Sequence, residues 1–183
     1  MTPGPFAALI SDDLGEVTAR DDGYFDVRYE RRLRKPVAKV WAAITVAERI
    51  ADWFTDVDIE LWVGGRYHIR FADFEGMVVE GVVTAVEAER RLTHTWPDPG
   101  HPDATITYEL EPDGEGCRLV FTQIGLPPQY LGAIPGWHAF FEALPGACEG
   151  IRTPWTAERE AEMGERYRDL LAPFRGPEGA APV

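Results

Sequence analysis

The stretch Pro36-Val-Ala-Lys-Val-Trp-Ala-Ala-Ile-Thr-Val-Ala-Glu-Arg-Ile-Ala-Asp-Trp-Phe54 writes two short amphipathic helices back to back. Val37, Val40, Trp41 and Ile44 fall at i, i+3, i+4 and i+7, and the spacing restarts at Ala47, Ile50, Ala51 and Phe54. Two apolar stripes are therefore offered to one core. Pro36 suits a first helical position, where a missing N–H costs nothing. Thr45, with Glu48 three residues on, reads as a capping box that opens the second helix.

Working outward, one strand signal precedes the helices at 23–33 and six follow, at 56–63, 66–73, 76–87, 90–96, 103–111 and 117–124. The later strands are joined by Gly64-Gly65, Asp73-Phe-Glu-Gly76, Glu87-Ala-Glu89, Pro97-Asp-Pro-Gly-His-Pro102 and Pro112-Asp-Gly-Glu-Gly116. Links this short cannot hold crossover helices, so the sheet is expected to be an antiparallel meander. Alternation sets Tyr67, Ile69 and Phe71 against His68 and Arg70, and Ile106, Tyr108 and Leu110 against Thr105, Thr107 and Glu109. One face is covered and one is wet.

The cover comes from C-terminal helices. Trp137, Phe140, Phe141 and Leu144 repeat the helical stripe, and a second helix opens at Thr153-Pro154 and carries Met163, Tyr167, Leu170, Leu171 and Phe174. Because an interior proline costs ~3 kcal/mol, Leu144-Pro145-Gly146 predicts a stop or bend near Pro145. The expected organisation is one α+β domain over 21–175, between an arm at 1–20 and a tail at 176–183 rich in Pro, Gly, Ala and acid.

A net charge of −13 opposes contact with phosphate backbones and anionic membranes, so neither nucleic acid nor membrane is expected as a partner. No run reaches transmembrane length and the first residues lack a basic leader, which predicts a cytoplasmic protein. Cys117 and Cys148 show no close CxxC spacing and read as reduced structural thiols. Oligomeric state is left open.

Few residues are placed for chemistry. The single serine, Ser11, lies in the arm, which removes serine catalysis, and the chain has no Asn. His68, His94, His101 and His138 form no HxH or HExxH motif, and His138–Glu142 at i, i+4 supplies too few ligands and reads as a helix-surface pair. No metal, cofactor or catalytic residue is expected. His94 shares a face with Leu92 and Trp96, and Gln123 falls in line with Leu119 and Phe121. Each admits two readings, a satisfied structural residue or a ligand contact.

Several segments, taken in order, resemble a known family: Glu30-Arg-Arg-Leu-Arg-Lys-Pro-Val-Ala-Lys-Val-Trp41, Trp53-Phe54, Gly64-Gly-Arg-Tyr67, Glu80-Gly-Val-Val83, Arg91-Leu-Thr-His-Thr-Trp96, Tyr108-Glu-Leu110 and Gly136-Trp137. The chain resembles the SRPBCC superfamily (START-type, birch-pollen-allergen-like), in the branch similar to the activator of the heat shock protein 90 ATPase. The resemblance implies a helix-grip fold, in which a curved seven-stranded antiparallel sheet wraps round a C-terminal helix and encloses an apolar cavity.

In such a fold Trp53, Phe54, Tyr67, Ile69, Phe71, His94, Trp96, Tyr108, Phe121, Gln123, Trp137 and Phe141 are expected to converge on the cavity. Tyr130, Leu131 and Ile134, in the loop 125–136, stand at its mouth. The expected function is binding of a small hydrophobic molecule, planar aromatic or acyl, with little or no catalysis. Two alternatives remain: docking on a chaperone partner, and a polyketide cyclase or dehydratase using His94, Gln123, Tyr67 and Tyr108.

Overall fold

In the computed structural model, which describes residues 13–71 and 76–175, the first half runs β1 (Glu16–Ala19), β2 (Phe25–Leu33), α1 (Val37–Thr45), α2 (Ala47–Ile50), β3 (Asp56–Ile59) and β4 (Arg66–Phe71). It continues through β5 (Met77–Glu87), β6 (Arg91–Trp96), β7 (Ala104–Asp113), β8 (Gly116–Leu126), α3 (Ile134–Ala147), α4 (Ala157–Arg166) and α5 (Arg168–Leu171). The strands form one antiparallel sheet in the order β1-β2-β8-β7-β6-β5-β4-β3. β3 to β8 are thus a meander, and β2 closes on β8 with Tyr29 opposite Phe121. Inward residues alternate along β2 as Phe25, Val27, Tyr29, Arg31 and Leu33, as a half-covered strand requires.

The helix-grip architecture holds, with corrections of detail. The sheet has eight described strands rather than seven: residues 16–19, expected in the arm, pair with β2. Only Val17 among them packs on the core, so the segment carried no alternation to read. The remainder of the arm, the tail 176–183 and the turn residues 73–75 lie outside the described residues.

The break between α1 and α2 falls at Val46, which is extended, and no side chain caps α2. Thr45 instead donates its hydroxyl to the Trp41 carbonyl at 2.7 Å, the back-bond a helical threonine makes when it is not a cap. Pro36 sits one position earlier than expected, as the N-cap whose carbonyl receives the Lys39 N–H.

The helix ends close to Pro145, as expected, two residues beyond it. α3 runs from Ile134 through Pro145 to Ala147, and the Cys148 N–H bonds the Leu144 carbonyl beyond it. The proline lies in the last turn, where its missing N–H removes one bond close to the natural end of the helix. The helix also begins three residues before Trp137, with Pro135 in its first turn.

The following helix starts later than Thr153: Thr156 caps α4 by accepting the Arg159 N–H at 3.2 Å. It is interrupted at Tyr167, so Met163 and Leu171 reach the core from two short helices and Tyr167 from the break between them. α3 is buried along most of its length because the sheet lies on one side and α4 on the other.

The sheet's curvature leaves a mark at Gly81. It lies opposite Tyr67, just before the register of β5 against β6 shifts between Val83 and Ala85. A Cβ at Gly81 would overlap the Thr95 carbonyl oxygen, so only glycine lets β5 and β6 approach here. Gly81→Ala is expected to lower stability by about 1–3 kcal/mol, read as a shift in urea midpoint with unchanged slope.

Candidate functional site

A cavity of about 560 Å³ opens between one end of the sheet, the start of α3 and the chain that crosses over it before α4. The strands supply Phe71, Val79, Trp96, Ala104 and Gln123, whose inward positions follow from alternation. The connector after β8 supplies Leu126, Pro127, Tyr130 and Ala133, and α3 adds Ile134, Gly136 and Trp137. Pro97, Asp98, Pro99 and Pro102 wall one side from the β6–β7 turn, with Met77 and Val78 beside them, while Trp155 and Glu160 close the opposite side. Small side chains at Ala104, Ala133 and Gly136 make the room.

The wall is aromatic and aliphatic, with a few polar groups. Trp137 donates its indole N–H to Gln123 Oε1 at 3.0 Å, a contact that is fully buried. An indole nitrogen is a donor only, so this bond fixes which end of the Gln123 amide faces the tryptophan. Among the described residues Asp98 and Glu160 are the charged ones in the lining, and no Lys or Arg joins them. Asp98 accepts the Tyr130 hydroxyl at 3.0 Å, and nearby His101 contacts Gln129 at 2.8 Å and Tyr24 at 3.2 Å.

The expected lining residues divide. Phe71, Trp96, Gln123 and Trp137 reach the cavity wall. Trp53 lines a separate cleft of about 200 Å³ with Phe140, Ala143 and Pro154. Phe54, Phe121 and Phe141 are buried behind Trp137, with ring centroids 5.2, 4.5 and 6.1 Å from it, and Ile69 is core. Tyr67, His94 and Tyr108 form a stack away from the wall, with the first two centroids 3.7 Å apart.

Large side chains fill the middle of the sheet, so the space survives only at one end. Tyr130 and Ile134 stand in the lining as the loop reading expects, whereas Leu131 packs into the core. Trp155 and Glu160 were not foreseen. Residues 151–156 form no helix or strand, so no periodicity marked Trp155, and Glu160 is half-buried on α4 within a run of acids that reads as a solvated face.

His94 is fully enclosed. Its Nδ1–H faces the Thr95 carbonyl at 3.0 Å, while Nε2 meets no partner among the described residues. Burial pushes its pKa down to about 4, which keeps the ring neutral. The Tyr67 and Tyr108 hydroxyls bond each other, and burial raises both above the ordinary phenol range. Burial likewise pushes the Cys117 and Cys148 thiols up to about 11 and about 12, so neither is a ready nucleophile.

The His138–Glu142 pair is not on the surface. Both side chains are buried, His138 Nδ1 meets the Tyr167 hydroxyl at 2.8 Å, and Glu142 receives Arg159 and Arg166. α4 covers them, which the stripe on α3 alone did not reveal. No cluster of three or more His, Cys, Asp or Glu occurs among the described residues in metal-binding arrangement.

Residues 34–149 match the family described as Activator of Hsp90 ATPase homolog 1-like protein. Among solved structures, protein MLL2253 from Mesorhizobium loti is 34% identical over 68% of this chain and 96% of its own, with a TM-score of 0.61. CalU16 from Micromonospora echinospora is 25% identical over 87% of this chain and 99% of its own, with a TM-score of 0.67. DynU16, a protein in the dynemicin biosynthetic locus, is 26% identical over 68% of this chain and 47% of its own, with a TM-score of 0.60. No match was found among curated proteins.

The neutral His94 has a measurable consequence. In the folded chain its pKa is about 4, against 6.5 for an unperturbed imidazole, so the unfolded state binds more protons across that window. Stability therefore rises with pH from about 4 to about 6.5, by about 3 kcal/mol from this group. Urea midpoints measured across that range are expected to fall on acidification, and His94→Phe, which keeps the stack on Tyr67, is expected to flatten the slope.

Proposed function

Because the chain belongs to the Activator of Hsp90 ATPase homolog 1-like family, we propose that it binds a small apolar molecule, planar aromatic or acyl, in the cavity beside α3. The observation that carries this reading is an aromatic-walled space of about 560 Å³, within the range of small-molecule sites, with Phe71, Trp96, Trp137 and Trp155 around it. A ligand burying roughly 200 Å² of apolar surface would gain on the order of 5 kcal/mol by transfer, before association costs. DynU16's description places that relative in a biosynthetic locus, which accords with small-molecule work.

The role is binding rather than proton chemistry. Of the four groups an enzyme of this shape would use here, His94, Tyr67 and Tyr108 lie off the wall and only Gln123 reaches it. A carboxamide does not titrate in the range where general acids and bases work. Among the described residues no helix is long and apolar enough to cross a membrane, and two free buried thiols accord with the reducing cytoplasm, where we place the protein.

A second reading, docking on a chaperone, has the family description and one surface feature in its favour. Leu61, Trp62 and Val63 stand exposed together between β3 and β4. It predicts that Trp62→Ala abolishes chaperone capture without touching the cavity.

The cavity reading is tested by filling the space. A Cβ at Gly136 would meet nothing within 4 Å, and this helical position faces the cavity. Gly136→Leu is expected to keep or raise stability, by up to about 1 kcal/mol from helix propensity alone. It should weaken binding of the neutral fluorophore N-phenylnaphthylamine by about tenfold or more, read by fluorescence titration. Absence of saturable binding to the unaltered protein, together with no small molecule recovered from it by mass spectrometry, would overturn the proposal.

A further inference from the structure

Gln123 carries a hydrogen-bonding arrangement that general apolar binding does not explain. It is only 3% exposed, on β8 between Val27 of β2 and Ile106 of β7, and its side chain reaches the cavity wall. The indole of Trp137 occupies Oε1 and so turns the amide nitrogen the other way. Among the described residues no acceptor meets that nitrogen. Two N–H donors are therefore held at the edge of an apolar space, where an unanswered donor is costly and an incoming acceptor is rewarded.

The charges at the wall add a constraint. Asp98 and Glu160 both line the cavity, and among the described residues no lysine or arginine does. A carboxylate ligand, such as a free fatty acid, would enter beside two acids with no cation to receive it. Its own apolar chain does not offset that mismatch, because uncharged ligands of the same size bury equal area.

We infer that Gln123 is the specificity-determining contact of this cavity, donating its amide N–H to the carbonyl oxygen of an uncharged, planar apolar ligand, and that anionic acyl ligands are selected against. This rests on the cavity-binding reading and narrows it from planar aromatic or acyl molecules to neutral carbonyl compounds. Trp137 acts as the positioning residue, since it holds the amide in the donating orientation.

The test compares three naphthalenes substituted at the same ring position: acetylnaphthalene, isopropenylnaphthalene and naphthoate. They share one ring system, and the acetyl and isopropenyl groups have nearly the same trigonal shape, the hydrocarbon carrying a methylene where the ketone carries its oxygen. With the unaltered chain, the ketone is expected to bind about tenfold tighter than the hydrocarbon, and naphthoate weakest, by calorimetry. Gln123→Met should bring the ketone-to-hydrocarbon ratio to about one while hydrocarbon affinity stays within about threefold.

Nuclear magnetic resonance gives a readout that needs no variant. Gln123 and Gln129 are the only carboxamides in the chain, so its spectrum holds just two side-chain amide pairs. The Gln123 pair should move with the ketone and stay nearly still with the hydrocarbon. Equal affinity for ketone and hydrocarbon, with an unmoved Gln123 pair, would overturn this inference and leave the cavity reading standing. Tightest binding of naphthoate would overturn it as well. Binding of none of the three would overturn the cavity reading and this inference together.

Discussion

The seating of Trp137 on the sheet is the constraint that the remaining structure accommodates. Its ring lies against Phe121 of β8 at 4.5 Å and stacks on Phe54 at 5.2 Å, so it joins the helix, the sheet and the end of the α2 segment. Aromatic pairs of this kind add about 0.5–1.5 kcal/mol each beyond the area they bury. Because the indole also reaches Gln123, the depth of α3 over the sheet is fixed by a directional bond as well as by packing. The cavity is what remains beside that wedge, where the next residues along, Gly136 and Ala133, carry too little to fill it.

Behind α3 a polar cluster holds the C-terminal helices in place. Tyr29 donates its hydroxyl to the Ile134 carbonyl at 2.6 Å, and Tyr167 receives the Gly15 N–H at 2.9 Å and meets His138. Glu142, with Arg159 and Arg166, ties α3 to α4. Such pairs contribute less to net stability than their count suggests, because the charges must leave water. Their value here is geometric: they tie α4 across α3, and that placement brings Trp155 and Glu160 to the cavity.

Most of the fold was legible because its signals are periodic. The stripes at 36–54, the alternation of β4 and β7 and the short turns between strands each state a local geometry that the tertiary structure keeps. Pro145 marked the end of α3 to within two residues, because a proline's missing N–H is tolerated in the last turn of a helix and not in its interior. For the site, alternation placed Gln123 and Trp96 correctly on the inward face, yet could not separate them from Tyr67, His94 and Tyr108. Facing inward is a property of the strand; reaching a cavity depends on what stands opposite, and that is set by α3 and the crossing segment.

Among the described residues the open sheet has two free margins, and both are short. β1 and β3 are each four residues long, about 13 Å of extended chain, and β3 carries Asp56 and Asp58 paired with Arg70 and Arg66 of its neighbour. A margin this brief and this charged offers little template for a second sheet to add to. The domain can therefore leave its meander unclosed, with one end splayed enough to hold a cavity, without inviting edge-to-edge association into aggregates.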